Sequence, residues 1–381
     1  MRILHTSDWH VGRTIRGRSR TSEHQDVLTE IAGVAGDSRV DLVVVAGDVF
    51  DAATPPPEAE RIVYRALLDL AEVAPVVMVA GNHDHPRRLQ AVAPLLELGR
   101  VSVGALLERP ESGGVVEVPG LSVRVAMVPF VSQRGIVRVD DLMASGAAGH
   151  GGEYAKRMAA IIDLLCTGMT TDAVNLVVGH VMVHGGVLGG GERSAHTIFE
   201  YSVPALAFPG HLSYVALGHL HRMQRVPGPA PLWYSGSPLQ LDFGEAADSK
   251  GVLVVDVEPG LPAKVDQVYL TSGRRLVRLE GTLDQVTAEA ASYEDAWIQV
   301  VLDEQSRAGL ADEVRQLIPG TIDVLVAPPT GIESVVAGPS RIGRTPHDLF
   351  AEYLEQRGIE DPRLILLFDE LLSEAHEPDL V

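Results

Sequence analysis

Five short apolar runs in this 381-residue chain stop abruptly on imidazoles, carboxylates or an amide. The first run, at 1–6, leads to Asp8-Trp9-His10, and Leu42–Ala46 leads into Gly47-Asp48-Val49-Phe50-Asp51. Val76–Ala80 leads into Gly81-Asn82-His83-Asp84, Leu176–Val178 into Gly179-His180, and Tyr214–Leu217 into Gly218-His219-Leu220-His221. Oxygen and nitrogen donors at the ends of several strands are what a dinuclear metal centre needs. Asp8, His10 and His221 can hold one ion, and Asn82, His180 and His219 another. Asp48, with two carboxylate oxygens, can bridge both. Mixed imidazole and carboxylate ligation suits Mn, Fe or Zn better than Mg, which prefers oxygen. Two such ions, roughly 3.5–4 Å apart, activate water and clamp an in-line displacement at phosphorus. His83, beside Asn82, is a candidate to protonate the leaving oxygen or stabilise developing charge. Asp51 is a candidate to orient or charge-tune His83.

Each motif alone is weak: Asp-x-His arises by chance, and Gly-Asn-His-Asp is a good turn sequence for structural reasons. The signal lies in the ordered set, each member after an apolar run. His184 is the nearest rival to His180, which is preferred because it follows its strand directly after a glycine. His5 reads as a strand residue, and the remaining histidines carry no spacing argument.

The elements that would position these groups follow from periodicity and breakers. Strands are expected at Arg2–Thr6, Asp41–Ala46, Val76–Ala80, Val174–Val178 and Ser213–Leu217, several of them continuous β-branched runs of the kind buried on both faces. Helices are expected at Thr21–Val34 with Thr21 as cap, from the Pro55-Pro56-Pro57 run to Glu72, at Leu89–Leu98 and at Glu153–Leu165. Val115–Val118 and Leu121–Val128 flank Pro119-Gly120 as a hairpin. Ser145–Gly152 and His184–Gly191 are Gly-rich, and the latter lacks the Gly-Lys-Ser/Thr ending of a phosphate loop, so no ATP site is assigned. Thr271-Ser272-Gly273 is a boundary. The expected organisation is a domain over 1–270, a small α+β unit over 271–338, and two amphipathic helices over 339–381.

Apolar residues make up 46% of the chain, enough for a sizeable core, and no apolar run approaches a membrane span. The single cysteine, Cys166, excludes an internal disulfide and reads as a buried apolar residue; this, with no basic-then-apolar leader, fits a cytoplasmic protein. The net charge of −20 argues against nucleic acid, yet it is unevenly spread. Residues 1–270 hold 22 basic against 30 acidic residues, and 271–381 hold 9 against 21. Arg13, Arg16, Arg18 and Arg20 follow the first motif, and Arg87 and Arg88 the third. They are either a basic rim suited to phosphate backbones or solvated surface arginines.

Taken together, Asp8-x-His10, Gly47-Asp48, Gly81-Asn82-His83-Asp84, Gly179-His180 and Gly218-His219-Leu220-His221 resemble the calcineurin-like metallophosphoesterases. The sequence is more narrowly similar to the SbcD family, the nuclease subunits of bacterial SbcCD complexes. That similarity rests on Thr6-Ser7-Asp8-Trp9-His10-Val11-Gly12, Gly47–Asp51, Ala216–Arg222 and Tyr234-Ser235-Gly236-Ser237-Pro238. It covers the first 270 residues well and the remainder by layout. The resemblance implies an α/β (α+β) two-sheet sandwich flanked by helices, with two divalent ions, manganese by the family's habit, at the strand ends. It implies a 3′–5′ exonuclease on double-stranded DNA ends and an endonuclease on single strands and hairpins, serving DNA repair, recombination and replication. It implies an SbcC-type ATPase as partner, gripped by the tail helices, and a homodimer within a heterotetramer, formed through helices like 58–72 and 87–98. The seven candidate ligands match the family's, and His83 its catalytic histidine. Two other classes compete: the same site acting on a cyclic nucleotide or phosphoprotein, and a non-catalytic scaffold that clamps DNA ends.

Overall fold

The structure is a computed structural model that describes residues 1–132, 153–192 and 202–327, and in the C-terminal segment 350, 353–354, 357, 361, 363–365 and 367–368. Two six-stranded sheets pack face to face. The first runs in the order Lys264–Tyr269, Gly251–Asp256, Arg2–Thr6, Leu42–Val45, Val76–Val79, Val101–Gly104. The second runs in the order Gln224–Val226, Leu232–Tyr234, Tyr214–Gly218, Val174–His180, Val123–Val128, Val115–Glu117. The central strands of both sheets are parallel. Successive side chains of a strand face opposite ways, and the cores follow that alternation. Leu42 and Val44 meet Leu176, Val178 and Ala216 between the sheets. Val43 and Val45 face outward into helices Thr21–Ser38, Pro57–Val73 and Pro86–Leu98. Helix Glu153–Leu165 covers the outer face of the second sheet. Parallel strands put their carboxyl ends along one edge, the usual place for a ligand in such sheets.

Among the described residues the strands and helices expected in the sandwich are present, with one local correction, and Val101–Gly104, where no strand is expected, adds the edge of the first sheet. Thr21 is helical rather than the cap: Arg20 occupies the capping position without a side-chain bond, and Ser19 Oγ accepts the Thr21 N–H at 3.3 Å. Cys166 is buried one residue beyond its helix, and burial pushes its thiol up to about 12. No helix among the described residues is long and apolar enough to cross a membrane.

A separate three-stranded parallel sheet, Arg275–Gly281, Ala296–Leu302 and Thr321–Val326, carries helices Leu283–Ala290 and Leu310–Leu317 over a core of its own. The Thr282/Gln285 capping box starts the first of these helices. The unit is stitched to the sandwich at Glu23, whose carboxylate accepts from Trp297 Nε1 at 3.0 Å and the Arg274 N–H at 2.9 Å. Gln240 Oε1 accepts the Leu276 N–H at 2.7 Å. The Gly-rich loop over 145–152 lies outside the described residues, as does nearly all of the segment 339–381 with its expected pair of helices.

Candidate metal centre

The candidate ligands converge where the two rows of strand ends meet. The loops after Arg2–Thr6 and Leu42–Val45 are zipped together: the Asp8 N–H donates to Gly47 O at 2.9 Å and the His10 N–H to Asp48 O at 3.0 Å. Gly218 and His180 sit opposite each other in the second sheet. Asp8, His10, Asp48 and His219 all have positive φ, between 48° and 107°, which side-chain-bearing residues rarely adopt. Backbone held there persists only where the surroundings over-determine it, and such positions cluster at functional sites. The glycines before the ligands have a steric cause. A Cβ on Gly218 would collide with Ala46 O of the facing sheet, and one on Gly81 with the Asp48 carboxylate.

Ligand atoms of Asp8, His10 and His221 lie within 4.8 Å of one another. A second group forms around Asn82 Oδ1, 2.9 Å from both His180 Nε2 and His219 Nδ1, which are themselves 3.3 Å apart. Asp48 Oδ2 stands between the groups, 3.6 Å from His10 Nε2 and 3.4 Å from His180 Nε2. Asp8, His10, Asp48, His180, His219 and His221 are buried, and Asn82 is half-buried. None of the clusters of ligand atoms among the described residues includes the rival His184.

This donor set fits a cation. His180 Nδ1 donates to Ala46 O at 2.8 Å, which leaves Nε2 as a lone pair in the neutral ring. That lone pair faces the lone pairs of Asn82 Oδ1, so something positive must lie among them. Either a proton or a metal ion answers. For the bare chain, burial pushes the His180 imidazole down, but the Asp48 and Asp8 carboxylates outweigh it and lift it to about 9. Burial, opposed by His180 and His221, raises the Asp8 carboxyl to about 6. Burial also makes Asp48 costly to ionise, but the neighbouring imidazoles of His180 and His83 hold it well below the usual range. His10 Nε2, buried, makes no hydrogen bond, and burial drops its imidazole to about 3. Buried carboxylates and an orphaned imidazole nitrogen around one point are the arrangement that ions resolve.

His83 is buried beside this cluster, with a ring nitrogen within 4.8 Å of ligand atoms of His10 and Asp48. Its Nδ1 donates to the backbone carbonyl of Asp51 at 2.7 Å, and its ring stands edge-on to His10 with centroids 4.5 Å apart. Nε2 is then the ring atom left for chemistry. The expected link from Asp51 to His83 is therefore made by the main chain. The Asp51 carboxylate points elsewhere, 3.4 Å from His10 Nδ1 and 3.2 Å from an Arg13 guanidinium nitrogen. Burial opposes that charge, but His10 and Arg13 hold Asp51 down at about 2.

Several further residues support the centre, of which Asp84 belongs to the third motif and Phe130 and Glu192 to none. Asp84 accepts N–H groups of Gly81 at 2.8 Å and Phe50 at 3.0 Å, tying the second and third motifs together. Phe130 stacks on His219, with centroids 6.2 Å apart. Glu192 closes the Gly-rich segment and accepts the His221 backbone N–H at 3.0 Å. The arginines after the first motif are largely engaged within the protein. Arg13 pairs with Asp51, Arg16 with Asp323, and the buried Arg20 with Glu23. Arg88 pairs with Glu60, so the basic rim reduces mainly to Arg18 and Arg87, both exposed.

The calcineurin-like phosphoesterase family model matches residues 1–223, and the type 5 capsule protein repressor C-terminal domain matches residues 272–358. The SbcD subunit of the nuclease SbcCD from Bacillus subtilis (strain 168) is 34% identical over 400 residues, covering 100% of both chains. Its counterpart in Rhodobacter capsulatus is 33% identical over 68% of this chain and 67% of its own. That of Escherichia coli (strain K12) is 30% identical over 77% of this chain and 74% of its own. With the phosphoesterase match spanning most of the sandwich and a relative alike from end to end, the chain belongs to the calcineurin-like phosphoesterase family, in its SbcD branch, and is a metal-dependent phosphodiesterase.

Proposed function

We propose that the chain is a manganese-dependent DNA nuclease, a 3′–5′ exonuclease on duplex ends and an endonuclease on single strands and hairpins. It works with an SbcC-type ATPase in DNA repair, recombination and replication in the cytoplasm. One observation carries the reading: a buried donor set split into two groups with Asp48 between them, in a chain alike from end to end to the SbcD subunit of a nuclease SbcCD.

Asp8, His10 and His221 would hold one ion, Asn82, His180 and His219 the other, with Asp48 shared. Ions held there lower the pKa of a bound water and neutralise charge on a phosphoryl group. The chain supplies the rest. Asp48 is fixed by the His83 N–H on one oxygen, so its other oxygen stays between the two imidazoles. His83, held by Asp51 O through Nδ1, would act as the imidazolium and give its Nε2 proton to the departing oxygen, returning to the neutral ring. Asp51 holds the His83 ring through its carbonyl and sets its carboxylate 3.4 Å from His10 Nδ1.

The assembly reading has support of its own. Helix Pro86–Leu98 buries Leu89 and Leu96 but leaves Leu95 69% and Leu98 85% exposed, and the neighbouring helix exposes Leu68 and Val73. Apolar surface of that kind suits a homodimer within a heterotetramer.

The test offers the purified chain, with manganese, a linear duplex, a DNA hairpin, a cyclic nucleotide and an aryl phosphodiester, with and without the ATPase. Duplex or hairpin cleavage that His83→Ala abolishes while metal is retained supports the reading. Cleavage of small diesters with no DNA cleavage, even with the ATPase present, overturns it.

A further inference from the structure

His221 is gripped in two places by two different glutamates. Glu192 takes its backbone N–H. Glu245, fully buried on the short turn Phe243–Glu245, takes its ring: His221 Nδ1 donates to Glu245 Oε1 at 2.8 Å. The other oxygen, Oε2, accepts the Leu241 N–H at 3.1 Å and lies 2.6 Å from Lys250 Nζ. Lys250 Nζ also donates to His221 O at 2.9 Å, so the lysine clamps both ends of the pair. Gln240 Nε2 holds the turn itself through Glu245 O at 3.1 Å and Ala246 O at 3.0 Å. Gly191 closes over the hydrogen bond, since a Cβ there would collide with Glu245 Oε1 and come within 2.9 Å of His221 Nδ1.

We propose that Glu245 is a positioning residue for the metal centre: by taking the His221 Nδ1–H it fixes the tautomer and ring plane that present Nε2 to the ion shared with Asp8 and His10. The inference rests on the two-ion reading. Neither Glu245 oxygen is assigned to an ion, because Oε1 takes the ring's own Nδ1–H and Oε2 takes the Leu241 N–H and Lys250 Nζ. A carboxylate in that place also makes the imidazole a stronger donor, and removing such a partner typically costs about 10- to 100-fold in metal affinity. Lys250 keeps the buried carboxylate charged by pairing with it. The effect is expected at one ion, because the one candidate ligand ring that Glu245 takes a hydrogen bond from is His221, and its other oxygen goes to Leu241 and Lys250.

The experiment is a manganese titration of the full chain by calorimetry, with cobalt substitution and visible spectroscopy beside it. It uses the unaltered chain, Glu245→Gln and, in case the first variant folds poorly, Glu245→Asp. The expected result is two ions in the unaltered chain. In Glu245→Gln one of them weakens by about 10- to 100-fold, the other is unchanged, and only one cobalt spectrum alters. Glu245→Asp keeps the charge on a shorter arm and weakens the same ion by less. Equal affinities in the unaltered chain and both variants overturn the inference while leaving the two-ion reading intact. Equal loss of both ions also overturns it, since that marks general disruption. An unaltered chain that binds no ion overturns the two-ion reading itself and the inference with it.

Discussion

The His83 backbone N–H donates to Asp48 Oδ1 at 2.7 Å, which ties the turn after one strand to the acid after its neighbour. The bond immobilises one oxygen of Asp48 and leaves Oδ2 between His10 and His180. On the two-ion reading a single carboxylate would therefore serve both halves of the centre. Asp48→Ala is expected to lose both ions, whereas His180→Ala loses one. Metal content after dialysis distinguishes them, and two ions retained in Asp48→Ala would contradict the bridging position.

His83 is held by Asp51 O through Nδ1, and in the proposed mechanism its Nε2 serves the departing group rather than either ion. His83→Ala is expected to keep both ions and to lose about 10²- to 10⁴-fold in turnover of a poor leaving group. An aryl leaving group needs little protonation, so its cleavage falls much less. An equal fall for aryl and alkyl diesters would remove the proton-donor role.

What the sequence makes legible follows from where the parts lie along the chain. An apolar run, a glycine and a polar residue mark a buried strand that ends at a crowded point. Gly218 shows why: its missing Cβ is what lets Ala46 O of the other sheet approach. Glu245 is as well placed as any ligand but follows no strand; Leu241 and Lys250 lie close to it in the chain, but the His221 ring that gives it a role is brought to it only by folding. Asp51 is ambiguous for a different reason. Spacing puts it near His83, but only the backbone course shows that its carbonyl faces His83 and its carboxylate faces His10. The arginines after the first motif read equally well as rim or surface, because the acids that pair with Arg16 and Arg20 come from the small C-terminal unit and from the start of a helix.

Two buried histidines outside the centre set a pH dependence of stability. His5 joins the sheets, with Nδ1 3.0 Å from the Tyr214 hydroxyl and Nε2 3.2 Å from Leu217 O. Burial lowers it to about 3, and burial with the adjacent Arg20 lowers His24 to about 4. An unfolded histidine titrates near 6.5, so below that pH the unfolded chain takes up protons that the folded chain refuses. Their contribution is neutral to stability above about pH 6.5, and each costs up to about 1.4 kcal/mol per pH unit as pH falls toward its folded value. The centre's imidazoles titrate too, so the comparison is by difference. Urea unfolding in chelator, from about pH 7 to about pH 4.5, is expected to show a shallower fall for His5→Gln than for the unaltered chain. Parallel curves would mean that His5 carries no linkage.

The joint between the sandwich and the C-terminal unit depends on Glu23. Its carboxylate pairs with Arg20, whose side chain is fully buried, and also accepts from Trp297 and Arg274. Burial raises the cost of its charge, but those donors outweigh it and hold the carboxyl below its ordinary value. Glu23→Ala strands a buried guanidinium and leaves the indole N–H without this acceptor. Breaking one side of such a pair costs about 3–5 kcal/mol, more than a surface substitution there would. Trp297, one of three tryptophans, lies on the middle strand of the small unit and donates to Glu23, so its emission, taken as the difference from Trp297→Phe, reports the joint. Glu23→Ala is expected to shift that emission to the red and lower the unfolding midpoint, while Glu23→Gln, which keeps an acceptor for the indole, shifts it less. An unchanged midpoint in Glu23→Ala would show that the two units are held by their apolar contact around Ile15, Phe243 and Leu276 instead.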